Sequence, residues 1–241
     1  MKETVDSRNK MLNKIQGFVF ELLNPRISKI RKSNLTYLSK YALLNISQSI
    51  KSIEADKVPG IFVETGCALG GSTILIGLTK LRSRILRVYD VFGMIPPPSV
   101  NDGIDIHNRF KKIQEGYSEG INGALYYGYE KDLLNKVKQN LKNFRLTEKD
   151  NIQLIKGLYE DTLQIDEPVA FAHVDCDWYS SVMTCLRNIE PNLSKGGIMI
   201  IDDYYDWSGC KKAVDEYFIE NIRNEHFQFK TMHKKLIIRK K

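Results

Sequence analysis

Two short apolar runs, Val169-Ala-Phe171-Ala and Ile198-Met-Ile-Ile201, each run into acidic residues. His173-Val-Asp175-Cys-Asp177-Trp178-Tyr179 follows the first, and Asp202-Asp203-Tyr204 follows the second. Apolar runs of this length mark parallel strands buried on both faces. The segment between them is long enough for one helix and ends in a Gly-Gly turn at Gly196-Gly197. Neighbouring strands of an open α/β sheet fit this pattern, and the carboxyl ends of such strands are where these sheets bind ligands. Three or four carboxylates gathered there repel one another and rise in pKa unless a cation sits between them, so a bound hard metal ion is the economical explanation. Solvated loop acids or helix N-caps are the alternative, and the doubling at both tips weighs against it.

The rest of the chain beyond residue 57 repeats strand, glycine turn and helix, which predicts a parallel sheet covered by helices. Strands are expected near Gly60–Thr65, Arg84–Asp90, Ile152–Lys156, Val169–Asp175 and Gly197–Asp202. Helices are expected near Gly71–Leu81, Glu130–Phe144, Ser180–Ile189 and Lys211–Ile222. His226–Met232 and Lys234–Arg239, joined tightly at His233, predict an antiparallel hairpin at the sheet edge, where the surrounding basic residues discourage pairing with another chain. Before the sheet, helical periodicity runs from about Asn9 to Asp56. Met11, Ile15, Phe18, Val19 and Leu22 share one face, Leu35, Leu38, Ala42 and Ile46 recur in the next run, and Asn24-Pro25 separates the two. The expected organisation is an N-terminal helical extension over residues 1–57 and one α/β domain over 58–241. Residues 92–129 open with Phe92-Gly-Met-Ile-Pro96-Pro97-Pro98 and hold Phe110, Tyr117, Tyr126 and Tyr127. A segment of that length is expected to be a lid or binding loop.

Composition narrows the class. A chain of 241 residues is large enough for one α/β core. Cys67, Cys176, Cys185 and Cys210 lack the paired spacing of a zinc or redox motif and read as reduced, buried residues. The net charge of +7 is concentrated at the ends: residues 1–57 hold eleven Lys/Arg against five Asp/Glu, and residues 224–241 hold six against one. Such ends suit an anionic glycan carrier, acidic lipid or nucleic acid, or are plain solvated surface. No apolar stretch is long enough to span a bilayer, and Met-Lys-Glu-Thr-Val-Asp is not the start of a secretory signal, so a cytoplasmic location is expected.

The first strand runs into Val63-Glu64-Thr65-Gly66-Cys67-Ala68-Leu69-Gly70-Gly71-Ser72-Thr73, a glycine turn that opens a helix and lets a ligand approach the backbone. Asp90 ends the second strand, where an acid can accept from both hydroxyls of a ribose. The Gly-Lys-Ser/Thr of a phosphate loop is missing, the glycine spacing is not that of a dinucleotide fingerprint, and Glu64 would repel a pyrophosphate. An acid there suits a ligand with positive charge, such as the amine and sulfonium of S-adenosylmethionine.

The Val-Glu-Thr-Gly turn, Asp90-Val-Phe-Gly-Met-Ile-Pro-Pro-Pro, Lys156-Gly-Leu-Tyr-Glu-Asp-Thr-Leu163, His-Val-Asp-Cys-Asp-Trp-Tyr and Gly-Gly-Ile-Met-Ile-Ile-Asp-Asp-Tyr together resemble the macrocin O-methyltransferase family. The resemblance covers about Gly60 to Phe218. It implies a Rossmann-like class I methyltransferase sheet, mostly parallel with helices on both faces, and dependence on S-adenosylmethionine and Mg²⁺. It implies that Glu64, Thr65 and Gly66 lie against the methionine part of the cofactor, with Gly70 and Ser72 of the same turn also in the cofactor site. Asp90 would hold the ribose, and Gly157 and Leu158 would flank the adenine. Asp175, Asp202 and Asp203 match the family's metal ligands, with Asp175 also beside the cofactor. Cys176 and Ser180 stand where the family often has Gly and an acid.

On this reading a saccharide hydroxyl, in a glycan, nucleotide sugar or glycosylated natural product, receives the methyl group. Mg²⁺ lowers its pKa and a base takes its proton. Asp175 is the favoured base and His107 the second candidate, whereas His173, inside a strand, reads as structural. A catechol-like phenol is the rival acceptor. An RNA methyltransferase using the basic ends is a third reading, disfavoured because the acidic tips repel a phosphate backbone, so no specific nucleic-acid partner is expected. A homo-oligomer is expected.

Overall fold

The computed structural model describes residues 15–220 and 224–241. Helix α1 covers described residues 15–23, and α2 (Pro25–Lys32) and α3 (Lys40–Ala55) follow. Pro25 sits at the first position of α2, where its missing N–H costs nothing, so the break at Asn24 lies where the sequence predicts it. Met11 and Ile222 of the expected helices lie outside the described residues.

The strands are β1 (Ile61–Thr65), β2 (Leu86–Asp90), β3 (Ile152–Lys156), β4 (Val169–Val174), β5 (Leu193–Ile201), β6 (Phe227–Met232) and β7 (Lys235–Lys240). They form one sheet in the order β3-β2-β1-β4-β5-β7-β6. The first five are parallel; β7 runs antiparallel against β5 and pairs with β6. The hairpin turns at His233 and Lys234, both at positive φ (50° and 64°), the backbone of a two-residue hairpin turn. Strand β5 starts earlier than expected: Gly196, at φ +80°, lies within the strand instead of before it.

Alternate residues of each strand face opposite layers. Phe62, Val88, Phe171, Ile198 and Ile200 pack with α2, α3, α4 (Gly71–Thr79) and α6 (Leu133–Asn143). Val63, Tyr89, Val174, Met199 and Ile201 pack against α8 (Tyr179–Ile189) and α9 (Ser208–Glu220). The N-terminal helices therefore belong to the core: Ile30, Leu43, Ile46, Ile50 and Ile53 are almost completely buried on the sheet. The order reverses direction between β1 and β4, and the crevice at that switch opens at the carboxyl ends of the strands.

Residues 92–129 differ from the expected loop. They contain α5 (Ile104–Gln114) and two single 3₁₀ turns, Ile121–Gly123 and Tyr127–Tyr129. Only Ile106 and Ile113 of α5 are buried, so an apolar stripe this thin gives little periodic signal in the sequence. A short α7 (Tyr159–Thr162) follows β3.

Candidate active site

The turn after β1 is shaped by glycine. Gly66 has φ +84°, and a Cβ there would lie 1.8 Å from the carbonyl oxygen of Asp175, so the tips of β1 and β4 meet more closely than any side chain allows. Gly70, at φ +85°, starts α4 in a left-handed conformation. Asp90 ties this turn to the next: Oδ2 accepts from Cys67 N–H at 2.8 Å and Oδ1 from Phe92 N–H at 2.7 Å. Burial raises its pKa despite those two donors.

A cavity of about 770 Å³ opens over these tips. Gly66, Ser72, Asp90 and Leu158 line one part of it, and Asp175, Asp177, Asp202 and Asp203 another. Trp178, Trp207, Tyr126 and Tyr127 supply aromatic wall. Glu64, Thr65, Gly70 and Gly157 do not line the cavity. Glu64 is fully buried; it accepts from Thr73 Oγ1 and, at 3.1 Å, from His173 Nδ1–H, its direct neighbour in the β1–β4 register.

Asp175, Asp177 and Asp203 each bring a carboxylate oxygen within 4.8 Å of the other two. Burial, together with the charge of Asp202, pushes Asp175 up to about 8; burial pushes Asp177 up to about 6, and burial and the other acids raise Asp203. Asp202 behaves differently. Its Oδ2 accepts from Lys235 Nζ at 2.7 Å, and its Oδ1 lies 4.0 Å from His173 Nε2, an ion-pair distance beyond hydrogen bonding. Burial opposes charge on both partners, yet the His173 ring and Lys235 hold Asp202 below its usual range, while the Asp202 and Glu64 carboxylates raise His173 to about 10. Asp202, expected beside Asp175 and Asp203, lines the same cavity but is held by Lys235, and Asp175, Asp177 and Asp203 thus form the close group. Asp177 joins it because its backbone is left-handed, φ +58°, a turn not legible from the spacing of the acids.

The donor chemistry fits a hard divalent cation. All the ligand atoms are carboxylate oxygens, and Asp203 Oδ2 is buried without a hydrogen-bond partner among the described residues.

The segment 92–129 is fastened over the cavity by its own acids and by Trp178. Trp178 Nε1–H donates to Pro96 O at 2.9 Å. Asp102 accepts from the N–H of Tyr179 at 2.7 Å and Asp105 from the N–H of Ser208 at 3.0 Å, so the segment caps the first residues of α8 and α9. His107 is on the exposed side of α5 and does not line the cavity, so the structure does not bring this second base candidate to the acids. The same helix sends Arg109 to the cavity wall, over the Tyr126 ring at 5.5 Å. Sequence reading assigned no site role to Arg109 or Lys235, and it put Leu35 and Leu38 on a helical run; they lie instead in the non-helical linker 35–39 before α3, which also lines the cavity.

A glycine turn at β1, an acid closing β2, and a seven-stranded sheet whose strand β7 runs antiparallel beside β5 define a Rossmann-like methyltransferase fold. The chain belongs to the macrocin-O-methyltransferase (TylF) family, whose sequence profile matches residues 31–227. Among solved structures it is similar to the O-methyltransferase NovP, with a TM-score of 0.72 and 26% identity over 86% of this chain and 82% of that one. Demethyldecarbamoylnovobiocin O-methyltransferase of Streptomyces niveus is 31% identical over 183 residues, 73% of this chain and 64% of the relative. The 8-demethyl-8-(2,3-dimethoxy-alpha-L-rhamnosyl)-tetracenomycin-C 4'-O-methyltransferase of Streptomyces olivaceus is 32% identical over 182 residues, 72% of this chain and 63% of the relative. The chain thus spans just under two thirds of the length of these two relatives. No helix among the described residues is long and apolar enough to cross a membrane.

Proposed function

We propose that this chain is an O-methyltransferase that uses S-adenosylmethionine and Mg²⁺ to methylate a saccharide hydroxyl. One observation carries the reading: the glycine turn with Asp90 and the carboxylate cluster open into the same cavity, with Asp175 between them. Gly66, Ser72 and Asp90 would bind the cofactor, Asp90 through the ribose hydroxyls, and Leu158 would pack on the adenine. Glu64 acts from behind, fixing the turn through Thr73 and His173. Asp175, Asp177 and Asp203 would hold the cation, which when bound lowers the pKa of an acceptor hydroxyl.

S-adenosylmethionine, when bound at this site, would supply the methyl group to the acceptor oxygen with loss of its carbon–sulfur bond, giving a methyl ether and S-adenosylhomocysteine. The hydroxyl proton would pass to a carboxylate oxygen of Asp175, the acid that borders both the glycine turn and the carboxylate cluster. The segment 92–129 is the lid that excludes water and positions the acceptor. A saccharide acceptor is supported by the rhamnosyl group in the name of the Streptomyces olivaceus relative. The test is incubation with isotopically labelled S-adenosylmethionine and Mg²⁺ against nucleotide sugars, glycosylated natural products and catechols, read by mass spectrometry. Labelled sugar ethers lost on chelation are expected. Labelling confined to catechols, or full turnover in excess EDTA, would refute the acceptor or the cation respectively.

A further inference from the structure

The acidic site has a buried cation of its own that the chemistry above does not use. Lys235 is 8% exposed, and a lysine is rarely so buried without partners. Its Nζ donates to Asp202 O at 2.9 Å, Asp202 Oδ2 at 2.7 Å and Asp206 Oδ2 at 3.2 Å. The hairpin places it there: Ile201 pairs with Leu236 across β5 and β7, and the next antiparallel step sets Lys235 beside Asp202. Lys235 lines the cavity, and its charge opposes the upward shifts of Asp177 and Asp203. Residue 235 lies beyond the 31–227 range of the family match.

Resting on the cation reading above, we propose that Lys235 is a positioning residue of the acidic site. Its ammonium group holds Asp202 and Asp206 and acts as a fixed counter-charge that limits how tightly the carboxylates bind a divalent cation. Cation affinity rises with the net negative charge of the ligand set and with the number of carboxylate oxygens free to reach the ion. Lys235 lowers both, because it adds a positive charge at the site and occupies Asp202 Oδ2. A cation held by fewer carboxylates keeps more of its coordination positions for water and acceptor oxygens.

The experiment is calorimetric titration of the full chain with Mg²⁺ and with Mn²⁺, without cofactor or acceptor. It compares wild type, Lys235→Gln, which can still donate to Asp202 but has no charge, and Lys235→Arg, which keeps the charge. Lys235→Gln should bind the cation about tenfold more tightly or better, and Lys235→Arg should stay within about threefold of wild type. The same Lys/Gln comparison in an Asp202→Asn background must show tightening too; there, removing the lysine leaves no buried unpaired carboxylate at 202, so the test survives a folding failure of the single variant. If wild type binds neither ion, the cation reading falls and this inference with it. If wild type binds and Lys235→Gln binds equally or more weakly, or Lys235→Arg behaves like Lys235→Gln, the inference alone is overturned.

Discussion

Replacing Asp90 by Ala should damage both the fold and the cofactor site, by amounts that can be measured separately. The carboxylate accepts one backbone N–H from each of the two turns that border the cavity, at 2.8 and 2.7 Å. Hydrogen bonds to a charged acceptor contribute roughly 1.5–3 kcal/mol each, and alanine leaves two N–H groups near the cavity without their acceptor. Part of this is offset because burial already disfavours the ionised carboxylate, as its raised pKa records. The net loss should be about 2–4 kcal/mol, or about 5–15 °C in Tm for a chain of this size. The proposed ribose contacts use the same two oxygens, so affinity for S-adenosylhomocysteine should fall at least about 100-fold. Thermal melting without ligand measures the first effect, and calorimetry below the melting range measures the second. A Tm within about 2 °C of wild type would refute the staple role. A lowered Tm with unchanged affinity would refute the ribose role and leave Asp90 as a turn residue only.

Further outcomes follow from the same geometry. Asp175 and Asp177, raised to about 8 and about 6, are protonated in the fold at pH values where the unfolded chain has lost those protons. The folded state then binds more protons, so stability without added cation should fall as pH rises from about 4 to about 8, with Asp202, Asp203, His173 and Lys235 as the surrounding charges; addition of Mg²⁺ should flatten that decline in a melting series, and a Tm that rises across the window would contradict it. Gly66→Ala should lose about 3 kcal/mol or fail to fold, because the left-handed backbone and the carbonyl of Asp175 both exclude a Cβ; a urea midpoint equal to wild type would disprove the close approach. Asp102→Ala and Trp178→Phe each remove one fastening of residues 92–129, so proteolysis within that segment should accelerate and the acceptor KM should rise while cofactor affinity holds; cleavage at the wild-type rate would count against a lid.

The parallel strands were legible because each is a dense apolar run that ends in polar residues, a pattern that survives without knowledge of the neighbours. Expected and observed bounds of β3 coincide, and those of β1, β2 and β4 differ by no more than two residues. Helix α5 was not legible. Its buried stripe is two isoleucines within a polar sequence, and the prolines and glycines before it read as an unbroken loop. His107 stood out there as the only titratable ring, but the same helix that carries Arg109 to the cavity turns His107 to solvent.

The acids show where sequence reasoning stops. Asp90, Asp102, Asp105, Asp175, Asp177, Asp202 and Asp203 are chemically identical and several are adjacent, so spacing alone could locate the cluster but not divide its labour. The partners divide it. Two backbone N–H groups make Asp90 a staple, the unsatisfied N-termini of α8 and α9 make Asp102 and Asp105 caps, and Lys235 and His173 draw Asp202 toward themselves. Each partner arrives from an element distant in the chain, Lys235 by way of a hairpin register and Asp102 by way of the 92–129 segment. Trp178 precedes α8 without a side-chain cap of its own, and Asp102 of the 92–129 segment accepts from the first N–H of α8, so residues that border the cavity also help fix the helix carrying its wall. The position of residues 92–129 and the placement of the β4 tip are therefore coupled through Asp102 and Trp178, which is why, on the proposed reading, a change in either should reach the acceptor before it reaches the cofactor.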